Sequence, residues 1–118
     1  MSTLRAFKAS LFRTLGNPLR IEILEELRRA GQLTVGELHT RTGAGSSNVS
    51  QHLAIMRSSG VVIARRDGNN IWYSIAEPAV LQLLDAARTI FERETTSRTR
   101  ALEEDDTRAG TARHQAQK

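Results

Sequence analysis

Residues 34–60 read TVGELHTRTGAGSSNVSQHLAIMRSSG, and this stretch decides the fold. Thr34 and Glu37 have the spacing of a capping box, in which each side chain satisfies an orphan backbone donor at a helix start. That predicts a short helix through Leu38 to about Thr42. Gly43-Ala44-Gly45 follows as a tight turn. Ser46 or Ser47 is then expected to cap another helix running to about Ser58, with Val49, Leu53 and Met56 as its apolar face and Gly60 as its stop. Two helices joined by a short glycine turn form a helix-turn-helix unit.

The flanks complete a domain. Upstream, Leu4, Phe7, Leu11 and Leu15 recur at helical spacing, with Phe12 alongside, and Gly16 can end that helix. Asn17-Pro18 supplies a cap followed by proline at the first helical position. Leu19, Ile23, Leu24 and Leu27 then carry a second helix to Gly31. Downstream the period changes. Val61 to Arg66 and Ile71 to Ile75 read as strands around Asp67-Gly68-Asn69-Asn70, which is turn chemistry, so one β-hairpin is expected. Glu77-Pro78 opens a last helix whose apolar residues are Val80, Leu83, Leu84, Ala87, Ile90 and Phe91, to about Arg93. The expected fold is mainly α with a β-hairpin wing, in the order α-α-α-α-β-β-α: a winged helix-turn-helix over residues 1–93. Residues 94–118 are charged and nearly free of large apolar side chains, so a disordered tail is expected there.

The second helix of such a unit lies in the major groove and offers its N-terminal residues to base edges. With Val49, Leu53 and Met56 turned inward, Ser46, Ser47, Asn48, Ser50, Gln51 and Arg57 face outward. Short hydroxyls and amides permit close approach, and Asn or Gln can pair bidentately with adenine. Arg65 and Arg66 lead into the hairpin tip and Asn69 and Asn70 leave it, a basic end suited to phosphates or a minor groove. The bland alternatives are a solvated helix face and arginines that keep an edge strand soluble. His52 falls with Val49, Leu53 and Met56 in the i, i+3, i+4, i+7 pattern, so a packed, hydrogen-bonded histidine is expected rather than a DNA contact. Trp72 and Tyr73 are expected to pack the hairpin onto the helices.

Composition agrees with a nucleic-acid partner. The chain has 118 residues, the size of one domain, and a formal net charge of +4, which favours polyanions. There is no cysteine, which excludes disulfides and thiolate sites. No apolar run approaches a membrane span and no signal-peptide pattern follows Arg5 and Lys8, so a cytoplasmic protein without a membrane partner is expected. No nucleophile–base pair, phosphate-cradling glycine loop or acid pair suggests an enzyme.

The stretch from Asn48 to Val62, continuing through Ala64-Arg-Arg-Asp-Gly68 and Ile71-Trp-Tyr-Ser-Ile75, resembles the ArsR/SmtB family of bacterial winged-helix repressors. Leu15-Gly-Asn-Pro-Leu-Arg-Ile-Glu-Ile-Leu24 resembles the start of that family's second helix, and the likeness covers about Leu4 to Phe91. The resemblance implies a homodimer built from the first and last helices, with Leu4, Phe7, Leu11, Leu15, Leu84, Ala87 and Phe91 as interface candidates. It further implies a repressor that holds a near-palindromic operator in double-stranded DNA until an effector binds, with Ser46, Ser47, Ser50 and Gln51 as base readers and the wing arginines on phosphates.

The sequence departs from that family where relatives bind metals. Thr34 and Gly36 stand at one family site's two cysteine places, and Glu77, Ala79, Ile90 and Arg93 at the places of the last-helix site. No cofactor is indicated. His39 is the remaining candidate ligand for a nickel or zinc effector, beside His114 in the tail, and a lone surface histidine is the simpler reading. A small molecule or a co-regulator protein are the other effector classes. A winged module that binds protein and senses through a co-regulator is the alternative function.

Overall fold

A computed structural model describes residues 3–116 of the chain, with side chains through Asp105. The elements are α1 (Leu4–Leu15), α2 (Pro18–Ala30), α3 (Val35–Thr42), α4 (Ser46–Ser58), β1 (Val62–Asp67), β2 (Asn70–Ile75) and α5 (Ala79–Ala116). The chain divides into two units, Met1–Leu81 and Gln82–Lys118.

Local chemistry sets the helix ends in the first unit. Thr3 accepts from the Ala6 amide to start α1. Asn17 Oδ1 accepts from the amides of Leu19 and Arg20, 3.0 and 3.1 Å away, ahead of Pro18. Thr34 and Glu37 close the capping box that opens α3. Gly43 ends α3 with φ +77°, a left-handed conformation that costs a residue with a Cβ about 1–2 kcal/mol. The cap of α4 differs from the sequence expectation. Gly45 holds that position, and neither Ser46 nor Ser47 caps; both lie inside the first turn.

Leu15, Ile23, Leu24, Leu27, Leu33, Leu38, Val49, Leu53, Met56, Val61, Val62 and Val80 form the buried core. A fully buried aliphatic side chain of this size stabilises by about 1.5–3 kcal/mol relative to exposure. Val49, Leu53 and Met56 of α4 are each 0% exposed, so one ridge of the helix is fixed inward and the opposite ridge outward. The strands pair antiparallel in the register Val62↔Ile75, Arg65↔Trp72, Asp67↔Asn70. Gly68 takes φ +63° at the first of two central turn positions, where a type II′ hairpin demands glycine. Leu33 bridges the free edge of β2 through paired hydrogen bonds with Tyr73 of 3.0 and 2.9 Å, which docks the hairpin onto the chain between α2 and α3.

In the second unit α5 does not stop near Arg93. It continues through the segment expected as a disordered tail, to Ala116. Every described side chain from Asp85 to Asp105 is exposed. Lack of apolar residues removes a core but does not break a helix. No proline follows Pro78, and Arg88–Glu92 and Glu94–Arg98 pair at i, i+4, at 2.9 and 2.6 Å. His114 lies outside the described side chains.

Candidate nucleic-acid interface

The helix-turn-helix is built from α3, the Gly43–Gly45 turn and α4. His39 Nδ1 is hydrogen-bonded to the Ala44 carbonyl, and Thr42 Oγ1 accepts from the Ala44 amide at 3.2 Å, so two α3 side chains hold the turn. His39 is therefore a turn fastener with one ring nitrogen engaged.

On α4, Ser46, Ser47, Asn48, Ser50, Gln51 and Arg57 are all exposed, as expected. At 100° per residue they divide into sectors. Ser47, Gln51, Ala54 and Ser58 form the ridge opposite the core. Ser46, Ser50 and Arg57 flank it on the hairpin side, where Ser50, Ala54, Arg57, Ser58 and Tyr73 line an open groove. Asn48, His52 and Ile55 flank it on the α2 side. Because Gly45 brings no side-chain cap, the first-turn amides of α4 have no side-chain acceptor. Such amides, at the positive end of the helix dipole, are suited to a phosphate oxygen.

The hairpin register separates two arginines that look alike in sequence. Side chains alternate along a strand. Ile63, Arg65 and Asp67 share a face with Trp72 and Ser74, whereas Ala64 and Arg66 share the other with Ile71 and Tyr73. Arg65 donates to Gln32 Oε1 at 3.1 Å and lies 3.8 Å from Asp67. Arg66 is exposed on the same face as Tyr73, which lines the α4 groove, and makes no hydrogen bond or ion pair among the described residues. Asn69 and Asn70 are exposed at the tip.

Two residues outside the expected reading set contribute, one of them Tyr73, expected only to pack the hairpin onto the helices. Tyr73 forms the hairpin wall of the groove. Arg20 donates from Nε to His52 Nδ1 at 3.0 Å and from Nη1 to the Thr14 carbonyl at 3.0 Å. His52 is thus half-buried and hydrogen-bonded, as its position in the apolar period predicts. Nothing local in the sequence marks Arg20 as its partner, because the pair is 32 residues apart and meets only through packing.

Leu4 and Phe7 of α1 are 68% and 60% exposed, and Leu11 is half-buried. Leu15, grouped with them by spacing, is 6% exposed and belongs to the chain's own core, so it has little surface for a partner. On α5, Leu84 is half-buried, and Ala87 and Phe91 are exposed.

The residues at the family's metal places do not fit a metal. Thr34 and Glu37 are bonded to each other in the capping box, and Glu77 Oε1 accepts from the Ala79 amide at 3.2 Å. Among the described residues no three His, Cys, Asp or Glu side chains gather as a ligand group. Among the same residues, no helix is long and apolar enough to cross a membrane.

Comparison with known proteins identifies the family and the fold. Residues 17–64 match the family described as "Bacterial regulatory protein, arsR family". The chain is 48% identical over 104 residues to an uncharacterized HTH-type transcriptional regulator of Mycobacterium tuberculosis, covering 87% of this chain and 89% of that one. The crystal structure of that protein, Rv0081, superposes with a TM-score of 0.74, 45% identity and coverage of 84% and 99%. The biofilm growth-associated repressor of Xylella fastidiosa is 39% identical over 70% of this chain and 72% of its own length. A homodimeric winged helix-turn-helix DNA-binding domain from Mycobacterium bovis, solved in solution, matches at TM-score 0.69 and 28% identity, over 77% of this chain and 83% of that one.

Proposed function

This chain belongs to the ArsR family of bacterial regulatory proteins, and from that premise we propose how a DNA-binding transcriptional regulator of this kind engages its site. It binds a near-palindromic operator as a homodimer and represses transcription until an effector releases it. Each α4 lies in a major groove, with Ser47 and Gln51 toward base edges, Ser46, Ser50 and Arg57 along the groove wall, and Asn48 at the first turn. Arg66 holds phosphate from the wing, with Asn69 and Asn70 beside it.

The observation that carries this reading is the division of α4. Its inner ridge is wholly buried, and its outer ridge is exposed and free of large apolar side chains, with Ser47, Gln51 and Ser58 around Ala54, beginning at a turn with no side-chain cap. Exposed apolar residues on α1 and α5 support self-association, because a small domain hides such surface on pairing. The occupied side chains at the family's metal places favour a small molecule or a partner protein as effector over a tightly held metal.

Selection of bound duplexes from a random pool by the full chain tests the proposal. It predicts a two-fold symmetric consensus whose half-sites are about one helical turn apart. Its affinity should exceed that for scrambled duplex by at least about 10³ at physiological salt. Enrichment of no sequence, with affinity set by salt alone, would overturn it.

A further inference from the structure

We propose that Arg20 is a positioning residue for DNA reading, fastening the recognition helix to the last turn of α1. The inference rests on the assignment of α4 as the reading helix. Arg20 sits on α2 and touches both neighbours at once. Its Nε–H donates to His52 Nδ1 at 3.0 Å, and its Nη1 reaches the carbonyls of Thr14 at 3.0 Å and Arg13 at 3.5 Å. Those carbonyls lie at the C-terminal end of α1, where the Arg13 carbonyl also accepts from the Gly16 amide at 3.3 Å and the negative end of the dipole falls, so a guanidinium is well matched to them. The planar fork serves acceptors on two elements in fixed directions, which a lysine ammonium on a flexible stem does not reproduce.

A second tie joins the same two elements. Thr14, 6% exposed, places Oγ1 3.1 Å from Oγ of Ser59, the C-cap of α4. The last turn of α1 thus holds α4 near its middle, through Arg20 and His52, and at its end, through Thr14 and Ser59. Two anchors along one helix fix its tilt as well as its position. Since α1 also carries exposed Leu4 and Phe7, these ties set how each reading helix is aimed from the proposed dimer face. Aim matters for base contacts, which require defined direction. It matters little for phosphate attraction, which is sequence-independent.

His52 takes part as an acceptor. A neutral imidazole that accepts at Nδ1 carries its proton on Nε2. An acceptor at the Nδ1 place suffices for the tie, so Asn is a conservative replacement and Leu is not.

The test compares operator and scrambled-duplex affinity for wild type, Arg20→Lys, His52→Leu, His52→Asn and the Arg20→Lys/His52→Leu double variant, with dimer mass by sedimentation. Arg20→Lys and His52→Leu should each weaken operator binding about tenfold, as expected for loss of one hydrogen bond to a charged group. Scrambled duplex should change less than about twofold, because Lys keeps the charge. The double variant should be no worse than the weaker single one, and His52→Asn should stay near wild type. Histidine nitrogen-15 spectra of the unmodified protein supply a readout independent of any variant's folding, and should show a lone-pair Nδ1 and a protonated Nε2. Equal losses on operator and scrambled duplex, additive losses in the double variant, or a protonated Nδ1 would overturn the inference. Wild-type protein without operator preference would overturn the operator reading itself, and this inference with it.

Discussion

Replacing each wing arginine separately should reveal which of them holds DNA. Arg66 is exposed, lies on the strand face shared with Tyr73 and has no partner among the described residues, whereas Arg65 is engaged by Gln32 and Asp67. If each Arg66 neutralises one phosphate, a dimer loses two contacts in Arg66→Ala. Each contact contributes about 0.9 to the slope of log affinity against log salt, so the slope should become shallower by about 1.8. Across a fourfold change in salt, from about 50 mM to about 200 mM, that difference amounts to about twelvefold. The variant's deficit should therefore shrink by about that factor as salt rises. Fluorescence anisotropy with operator and scrambled duplex measures both slopes, and the change should appear on both. Arg65→Ala should move the slope less, because its guanidinium is already occupied. Either substitution is on the surface and should alter stability by no more than about 0.5 kcal/mol. An unchanged slope for Arg66→Ala, or a larger change for Arg65→Ala, would refute the assignment.

Phe7→Glu and Phe91→Glu should each shift sedimentation toward monomer and weaken operator binding by more than about tenfold, because one half-site cannot supply the contacts of two; dimers that persist in both variants would place the interface elsewhere. Gly43→Ala should lower unfolding free energy in urea by about 1–2 kcal/mol, since its φ of +77° disfavours a Cβ; unaltered stability would show that the turn relaxes. Calorimetric titration with nickel, zinc or cobalt should give micromolar or weaker binding and change operator affinity less than tenfold, since a strong site needs about three or four placed ligands. Nanomolar, stoichiometric binding that loosens DNA would show that His39 recruits ligands the fold does not otherwise bring together.

Signals that act within a few residues were legible in the sequence. Asn17-Pro18 started α2 and the Thr34–Glu37 box started α3, because capping is a matter of local spacing. The apolar period of Val49, Leu53 and Met56 oriented α4, and so named the exposed reading residues. Four features depended on more than local spacing. Ser46 and Ser47 look like caps, yet the turn closes one residue sooner and Gly45 takes the position. Leu15 follows the spacing of Leu4 and Leu11, but lies at the helix end that enters the core. Arg65 and Arg66 differ only through strand alternation and the approach of Gln32. The length of α5 escaped a reading of composition, which reports on core formation and is nearly silent on an exposed helix held by i, i+4 pairs.

The central claim is that the exposed ridge of α4 reads bases, and Gln51→Ala tests it most directly. Gln51 lies opposite the buried ridge, so its removal should leave the fold intact. Affinity for the operator should fall by about 1–3 kcal/mol, with preference relaxed at one base pair in each half-site, while scrambled duplex binding stays unchanged. Equal losses on operator and scrambled duplex, or no loss on either, would contradict the account.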